Sequence, residues 1–136
     1  MTDTLTRAQR SERMSRVKGK NTKPEVVVRR LLARFGIRPR LNYRRLPGTP
    51  DMALPRRKKV IWVHGCFWHR HPGCRNARLP KSRLGFWKSK LLGNRRRDLR
   101  NQRELRRSGW RYLVVWECQL KRPKAVVQKL RRFLEK

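Results

Sequence analysis

The eleven consecutive residues His64–Cys74 hold all three histidines and two of the three cysteines of the chain. An adjacent aromatic pair, Phe67-Trp68, lies in the same run. Metal ligands and proton-transfer groups this close together constrain a fold strongly, because a bound metal ties its loop to every other segment that ligates it. We therefore expect this loop to be a fixed functional element of the fold.

The spacing of the cysteines predicts a structural zinc site. Cys66, His71 and Cys74 are three good zinc ligands within one loop, and Cys118 supplies a fourth from a distant segment. The alternative is three ordinary buried or free cysteines. The tight spacing, the Pro72-Gly73 turn and an odd cysteine count favour a closed Cys₃His site over a disulfide framework.

The charge balance points to a polyanionic partner. Lys and Arg number 40 against 8 Asp and Glu, which gives a formal net charge of +32 and a pI near 12.0. Such self-repulsion destabilises a compact chain unless a polyanion offsets it, and nucleic acid is the expected one. An anionic membrane is disfavoured, because the basic residues are spread along the chain and no apolar stretch approaches the ~20 residues of a membrane helix. The N-terminus shows no secretion signal.

The hydrophobic pattern predicts the element order α-β-β-β-α-β-α in one small α/β domain with a mixed sheet flanked by helices. We expect residues 1–20 to form a basic nucleic-acid-binding arm and residues 21–136 to form the single domain. The predicted elements are a helix from Thr22 to Phe35, strands at 37–43, Asp51–Leu54 and Val60–Val63, a helix over about Arg83–Arg107, a strand at Trp110–Trp116 and a helix from Pro123.

Asp51 is a candidate magnesium ligand. It follows Pro50 in a chain almost without acids, and a carboxylate close to bound phosphates is most readily explained by a cation that it holds. The neighbouring strand ends at Val63-His64, so His64 and His69 are general-base candidates. The alternatives are a simple turn aspartate and two packed or surface histidines.

Four further features have two interpretations each. A capping box that starts at Thr22 explains Glu25, and Asp98 can pair with adjacent arginines, but either acid could orient a histidine. The pairs Phe67-Trp68 and Phe86-Trp87 are core residues or wedges that unstack bases. The sequence predicts that Trp62, Trp110 and Trp116 lie in the core.

Together these segments resemble the very short patch repair family of DNA mismatch endonucleases (the Vsr family). The resemblance covers about residues 5–120, and its most specific string is His64-Gly-Cys-Phe-Trp-His69. The other matching segments are Met14–Val17, Thr22–Glu25, Leu46–Asp51, His71–Cys74, Phe86-Trp87, Asn94–Asp98 and Gly109–Cys118.

The resemblance implies a restriction-endonuclease-like fold and an endonuclease that hydrolyses one DNA strand on the 5′ side of the thymine in a T·G mismatch. Such mismatches arise by deamination of 5-methylcytosine. Asp51 and the backbone carbonyl of Val63 would bind Mg²⁺. The implied ligands of the structural Zn²⁺ are Cys66, His71, Cys74 and Cys118.

The resemblance also implies catalytic and DNA-contacting roles. His69, with Glu25 as its partner, would help to activate the attacking water, while His64, held by Asp98, would assist at the phosphate. The implied DNA-contacting residues are Phe67, Trp68 and Trp87, which would intercalate, and Met14 in the N-terminal arm.

Charge and zinc ligands would equally fit a non-catalytic, zinc-stabilised basic nucleic-acid-binding protein, although this alternative leaves Asp51, His64 and His69 unexplained. For the endonuclease we expect a monomer in the bacterial cytoplasm at the nucleoid, with mismatched double-stranded DNA as substrate and mismatch-repair proteins as candidate partners. The excess of basic residues should strengthen non-specific DNA binding.

Overall fold

A computed structural model describes residues 22–136. The N-terminal arm, with Met14, lies outside the described residues. Helix α1 spans Lys23–Ala33, and strands β1, β2 and β3 span Arg40–Leu41, Met52–Leu54 and Lys59–His64. Helix α2 spans Leu84–Arg107, strand β4 spans Arg111–Trp116, and helix α3 spans Pro123–Glu135. This is the predicted element order.

Three boundaries differ from the prediction. Strand β1 is two residues long instead of covering 37–43, and Asp51 lies just before β2 rather than in it. Helix α1 ends at Ala33, two residues before Phe35. For α1 and β1 the apolar residues continue beyond the regular backbone hydrogen bonds, because Phe35 and Ile37 pack against the core from the loop between them.

The sheet has the order β1-β2-β3-β4. Its first three strands are antiparallel, while β3 and β4 are parallel and joined through α2. The run Val60-Ile-Trp in β3 is buried on both faces, as expected for a central strand covered by helices. The mixed α/β class with helices around a small sheet is therefore confirmed.

Alternation along the strands divides the core into two clusters. Met52 and Ile61 pack with α1 and α3 on one face, whereas Ala53, Val60 and Trp62 pack with Leu105 of α2 on the other. The tryptophans follow the prediction in part. Trp62 is buried, but Trp110 and Trp116 are only partly buried at the margins of the core.

The end of α3 is held by a buried lysine. Lys59 donates hydrogen bonds to the carbonyl oxygens of Phe133, Leu134 and Lys136 at 2.7, 3.2 and 3.2 Å. These carbonyls have no partner within a helix, and an ammonium group at a helix C-terminus satisfies them and complements the helix dipole. Among the described residues, no helix is long and apolar enough to cross a membrane.

Candidate active site and metal centre

A cleft of about 430 Å³ opens where β3 and β4 end and α2 crosses them. The parallel register pairs His64 with Trp116, so the residues after both strands reach the same edge of the sheet. Of the six acidic residues between 22 and 136, four line this cleft in a strongly basic chain. The predicted site residues on its wall are Glu25, Asp51, Val63, His64, Trp68, His69 and Asp98.

Asp51 and Glu25 form a carboxyl pair in the cleft. The backbone N–H of Val63 donates a hydrogen bond to Asp51 Oδ2 at 2.7 Å, which fixes the side chain against β3. Burial raises the pKa of Asp51 to about 7, although the hydrogen bond from Val63 lowers it. The adjacent carboxyl group of Glu25, which is hydrogen-bonded to Asp51, adds to the rise. Two carboxyl groups this close cannot both ionise cheaply unless a cation lies beside them, so the donor set fits a hard divalent cation.

The expected capping box around Glu25 is absent. Thr22 is the N-cap of α1, as predicted, but its side chain makes no capping hydrogen bond. The Glu25 carboxyl group instead interacts with Asp51. Glu25 therefore belongs to the cleft and is not explained by helix capping.

His69 and Asp98 form a histidine–carboxylate pair. His69 Nδ1 lies 2.7 Å from Asp98 Oδ2, and Asp98 projects from the middle of α2. With Nδ1–H donating to the carboxylate, the neutral ring carries its free lone pair on Nε2. This is the arrangement that a general base requires.

The contacts of the described residues differ from the expected histidine partnerships. Asp98 hydrogen-bonds His69, and Glu25 interacts with Asp51. The pairs of Asp98 with His64 and of Glu25 with His69 stay predictions. The His64 ring instead stacks on His69, with ring centroids 3.8 Å apart and planes 5° from parallel. Sequence spacing could not resolve these pairings, because all five side chains reach one cleft from four different segments.

The four predicted zinc ligands form a second cluster that could hold a metal ion. Their ligand atoms all lie within 4.8 Å of one another. Cys118 Sγ lies 3.5 Å from His71 Nδ1, and the Cys118 N–H donates to Cys66 Sγ at 3.4 Å. Burial raises the pKa of the Cys66 thiol to about 12, so the thiolate in this place needs a compensating cation.

The cluster fixes the His64–Cys74 loop to the far strand. Cys118 follows β4, and the His71 ring stacks on Trp116 with centroids 4.2 Å apart. Asn94 of α2 adds a hydrogen bond from its Nδ2 to the Trp68 carbonyl oxygen at 3.1 Å. The loop that carries His69 is thereby held from two sides.

Phe67, Trp68 and Trp87 form one aromatic cluster beside the cleft. Their ring centroids are 5.2 to 5.9 Å apart in edge-to-face contacts, and all three side chains are only partly buried. Phe86, next to Trp87, is 46 % exposed and contacts it at 5.2 Å. The four rings form an apolar projection bordered by basic side chains rather than part of the core.

Sequence reasoning missed several residues on the cleft wall. The position of Glu117 beside Cys118 in the sequence favours a structural role. In the structure, however, Glu117 lines the cleft, because it directly follows β4 just as Gly65 directly follows β3. The two residues are so close that a Cβ atom on Gly65 would lie 3.5 Å from the Glu117 carboxylate. The register of the parallel strands is the signal that could have found it. The other unexpected polar residues on the wall are Asn42, Arg44, Thr49, Asn101 and Gln102.

Comparisons with known proteins identify the family. The family model for DNA mismatch endonuclease Vsr matches residues 2–75. The chain is 49 % identical to the type II nicking enzyme V.XorIIP of Xanthomonas oryzae, over 99 % of this chain and 98 % of that protein. It is 42 % identical to the type II nicking enzyme V.NmeAIP of Neisseria meningitidis, over 98 % and 95 % of the two chains.

The DNA mismatch endonuclease Vsr of Escherichia coli is also similar, with 38 % identity over 89 % of this chain and 77 % of that protein. Similarity of this extent to several such enzymes disfavours the alternative of a non-catalytic binding protein. The chain belongs to the Vsr family of DNA mismatch endonucleases, and it is a DNA endonuclease.

Proposed function

We propose that this endonuclease nicks one strand of double-stranded DNA on the 5′ side of the thymine in a T·G mismatch, in a reaction that depends on Mg²⁺. The observation that carries the proposal is the cleft, where a carboxyl pair and a histidine–carboxylate pair face the same space beside an exposed aromatic cluster. Phosphodiester hydrolysis needs a site for a cation, a group that takes a proton from water and a surface that positions the substrate.

Asp51 would hold the Mg²⁺ ion, with the Val63 carbonyl and the adjacent Glu25 contributing oxygen atoms. When bound, the ion supplies positive charge that polarises the scissile phosphate. The N–H of Val63 holds the Asp51 carboxylate in place, so little side-chain freedom remains to be lost on binding. Cation binding would also relieve the repulsion between the two carboxylates.

His69 would take the proton from the attacking water at Nε2, while Asp98 fixes the ring and stabilises the imidazolium that forms. His64 supports His69 by stacking on its face and would assist at the phosphate. Burial lowers the pKa of His64 to about 3, with His69 adding to the shift, so His64 is neutral at physiological pH.

Mismatch recognition is assigned to the aromatic cluster. Phe67, Trp68 and Trp87 would insert beside the mismatched pair, where unstacking costs less than in a fully paired duplex. The basic arm of residues 1–20, including Met14, would contact the opposite groove, and residues 21–136 would form the catalytic domain.

We assign the metal of the Cys66, His71, Cys74 and Cys118 cluster as structural Zn²⁺. Three thiolates and one imidazole form a closed tetrahedral set with no open position for substrate. The bacterial cytoplasm is the expected location, and recruitment of mismatch-repair proteins and the monomeric state stay predictions.

The test is a nicking assay on a duplex with one T·G mismatch and on its T·A counterpart, each with Mg²⁺ and with a chelator. We expect Mg²⁺-dependent nicking of the thymine strand in the mismatched duplex alone. Asp51→Ala should abolish nicking while DNA binding persists. Glu135→Ala, which removes an equal charge at an exposed position remote from the cleft, is the matched control.

Equal nicking of both duplexes would contradict the proposed T·G specificity, but not the proposed Mg²⁺-dependent nuclease activity. Nicking that survives Asp51→Ala would contradict the metal assignment. Tight DNA binding without cleavage of either duplex would contradict the proposed reaction.

A further inference from the structure

His64 has an unexplained ring nitrogen. The side chain is 4 % exposed, and its Nδ1 has no hydrogen-bond partner among the residues that the structure describes. A buried polar atom without a partner loses its hydration and gains no hydrogen bond in exchange, which is unfavourable unless the site has a ligand for it. The proton-transfer step assigned to His69 does not use this atom.

The surroundings of His64 contain two more metal-ligand atoms. One ligand atom from each of His64, His69 and Asp98 lies within 4.8 Å of the others. Both rings line the cleft and stack face to face with centroids 3.8 Å apart, so they would tilt out of this stack for a nitrogen of each to reach one ion. Asp98 comes from α2, so a metal here would join the loop to that helix.

The chemistry of these atoms selects the class of metal. Two imidazole nitrogens and one carboxylate oxygen suit borderline divalent transition metals, whereas Mg²⁺ prefers oxygen ligands. Asp51 and Glu25, the all-oxygen pair, lie elsewhere on the wall of the same cleft. The cleft therefore offers two donor sets of different character.

We propose that His64, His69 and Asp98 form an inhibitory site for a borderline divalent metal such as Zn²⁺, separate from the Cys₃His cluster and from the carboxyl pair. Binding there through Nε2 of His69 would occupy the lone pair that otherwise accepts the proton from water. The inhibitory effect rests on the proposed role of His69, whereas the binding itself does not.

Binding is measured first, by equilibrium dialysis of the full chain whose Cys₃His cluster is already filled with zinc. The parent should bind a second equivalent of Zn²⁺, and a large excess of Mg²⁺ should not displace it. His69→Ala should weaken this second binding by about 100-fold or more and Asp98→Asn by about 10-fold, since even outer partners of metal ligands contribute 10–100-fold.

Two controls identify the location. Asp51→Asn should keep the second equivalent, because it alters only the carboxyl pair. Co²⁺ added to the zinc-filled chain should show ligand-field bands without thiolate charge-transfer absorption. Thermal unfolding of each variant verifies that it is folded, and His69 is the preferred target because its side chain is 22 % exposed.

The proposal is overturned if no second equivalent binds, if His69→Ala retains it, or if Asp51→Asn loses it. In nicking assays at constant Mg²⁺, Zn²⁺ should inhibit over the same concentration range in which it binds, and added Mg²⁺ should not restore activity. Binding without inhibition would refute the inhibitory role. Failure of Mg²⁺ dependence or of T·G preference in the parent would contradict only the proposed function, because dialysis does not depend on nicking.

Discussion

The hydrogen bond of Asp98 fixes the orientation and the tautomer of a histidine in this cleft. Asp98 accepts a 2.7 Å hydrogen bond from His69 although three consecutive arginines, Arg95–Arg97, precede it on α2. Arg97 instead donates to the Asn94 side chain at 2.6 Å, which leaves the Asp98 oxygen to the histidine. The carboxylate thus sets the tautomer of His69 rather than balancing the nearest positive charge.

The first prediction concerns this pair. Asp98→Asn should lower the rate of single-turnover nicking by about 100-fold or more, because an amide no longer stabilises the imidazolium or enforces the tautomer with the lone pair on Nε2. The affinity for DNA should change little. Single-turnover kinetics and a binding titration with the same duplex provide the two readouts.

Glu104→Gln is the control, since it removes the same charge from an exposed position on the same helix. A variant Asp98→Asn with the nicking rate of Glu104→Gln would show that the pair has no part in proton transfer.

At the scale of elements, the turn before β2 determines where Asp51 points. Gly48 has φ +75° and Thr49 has φ +42°, a conformation that β-branched residues rarely adopt. A Cβ atom on Gly48 would lie 2.7 Å from Asn101 Nδ2 and 2.9 Å from its Cγ, so α2 closely limits this turn. Strain of this kind persists where the surrounding structure enforces it, commonly at active sites.

The second prediction follows from this close approach. Gly48→Ala should push the turn away from α2, displace Asp51 and slow nicking by about 10- to 100-fold, since misplacement by about 1 Å can cost 100-fold. Combining it with Asn101→Ala should recover part of the rate by restoring space. Rate constants for the single and double variants measure the coupling.

Gly36→Ala is the control that separates the steric contact with Asn101 from the conformational cost of a positive φ. Gly36 has φ +72°, but a Cβ atom at this position would meet nothing within 4 Å, so this variant bears the same conformational penalty without the clash. If Gly36→Ala slows nicking as much as Gly48→Ala does, or if Asn101→Ala brings no recovery, the contact does not position Asp51.

At the scale of the whole molecule, the charge distribution serves both attraction of DNA and binding of the proposed cation in the cleft. The net charge of +32 attracts the DNA backbone, while four of the six acidic residues between 22 and 136 line one cleft, where the proposed cation would bind. Electrostatic attraction to phosphates carries no sequence information, whereas the proposed contacts of the aromatic cluster with bases would. Affinity and mismatch selectivity should therefore respond differently to salt.

The third prediction is that affinity for a matched duplex falls by about 10³-fold or more between 50 and 200 mM salt, as for proteins with many phosphate contacts. The ratio of mismatched to matched affinity should rise over the same range, because ring insertion depends weakly on salt. Fluorescence anisotropy with both duplexes measures this ratio. An affinity that is insensitive to salt would contradict the electrostatic account.

The element order, the polyanionic nature of the partner and seven of the residues that line the cleft could be predicted from the sequence alone. Periodic apolar residues, breakers such as Gly36 and Pro123, and the charge excess are local or additive properties, so they can be read without coordinates. The four candidate zinc ligands could also be predicted from residue type and spacing, and they lie together in one cluster that could hold a metal ion.

How these residues are paired depends on the tertiary structure. Glu25 interacts with Asp51 instead of forming its expected cap, and Asp98 hydrogen-bonds His69. Glu117 lies in the cleft because of the register of β4 against β3. Each partnership joins segments far apart in the chain and depends on helix rotation and strand register. Sequence spacing carries no information about either, because both result from the packing of the whole core.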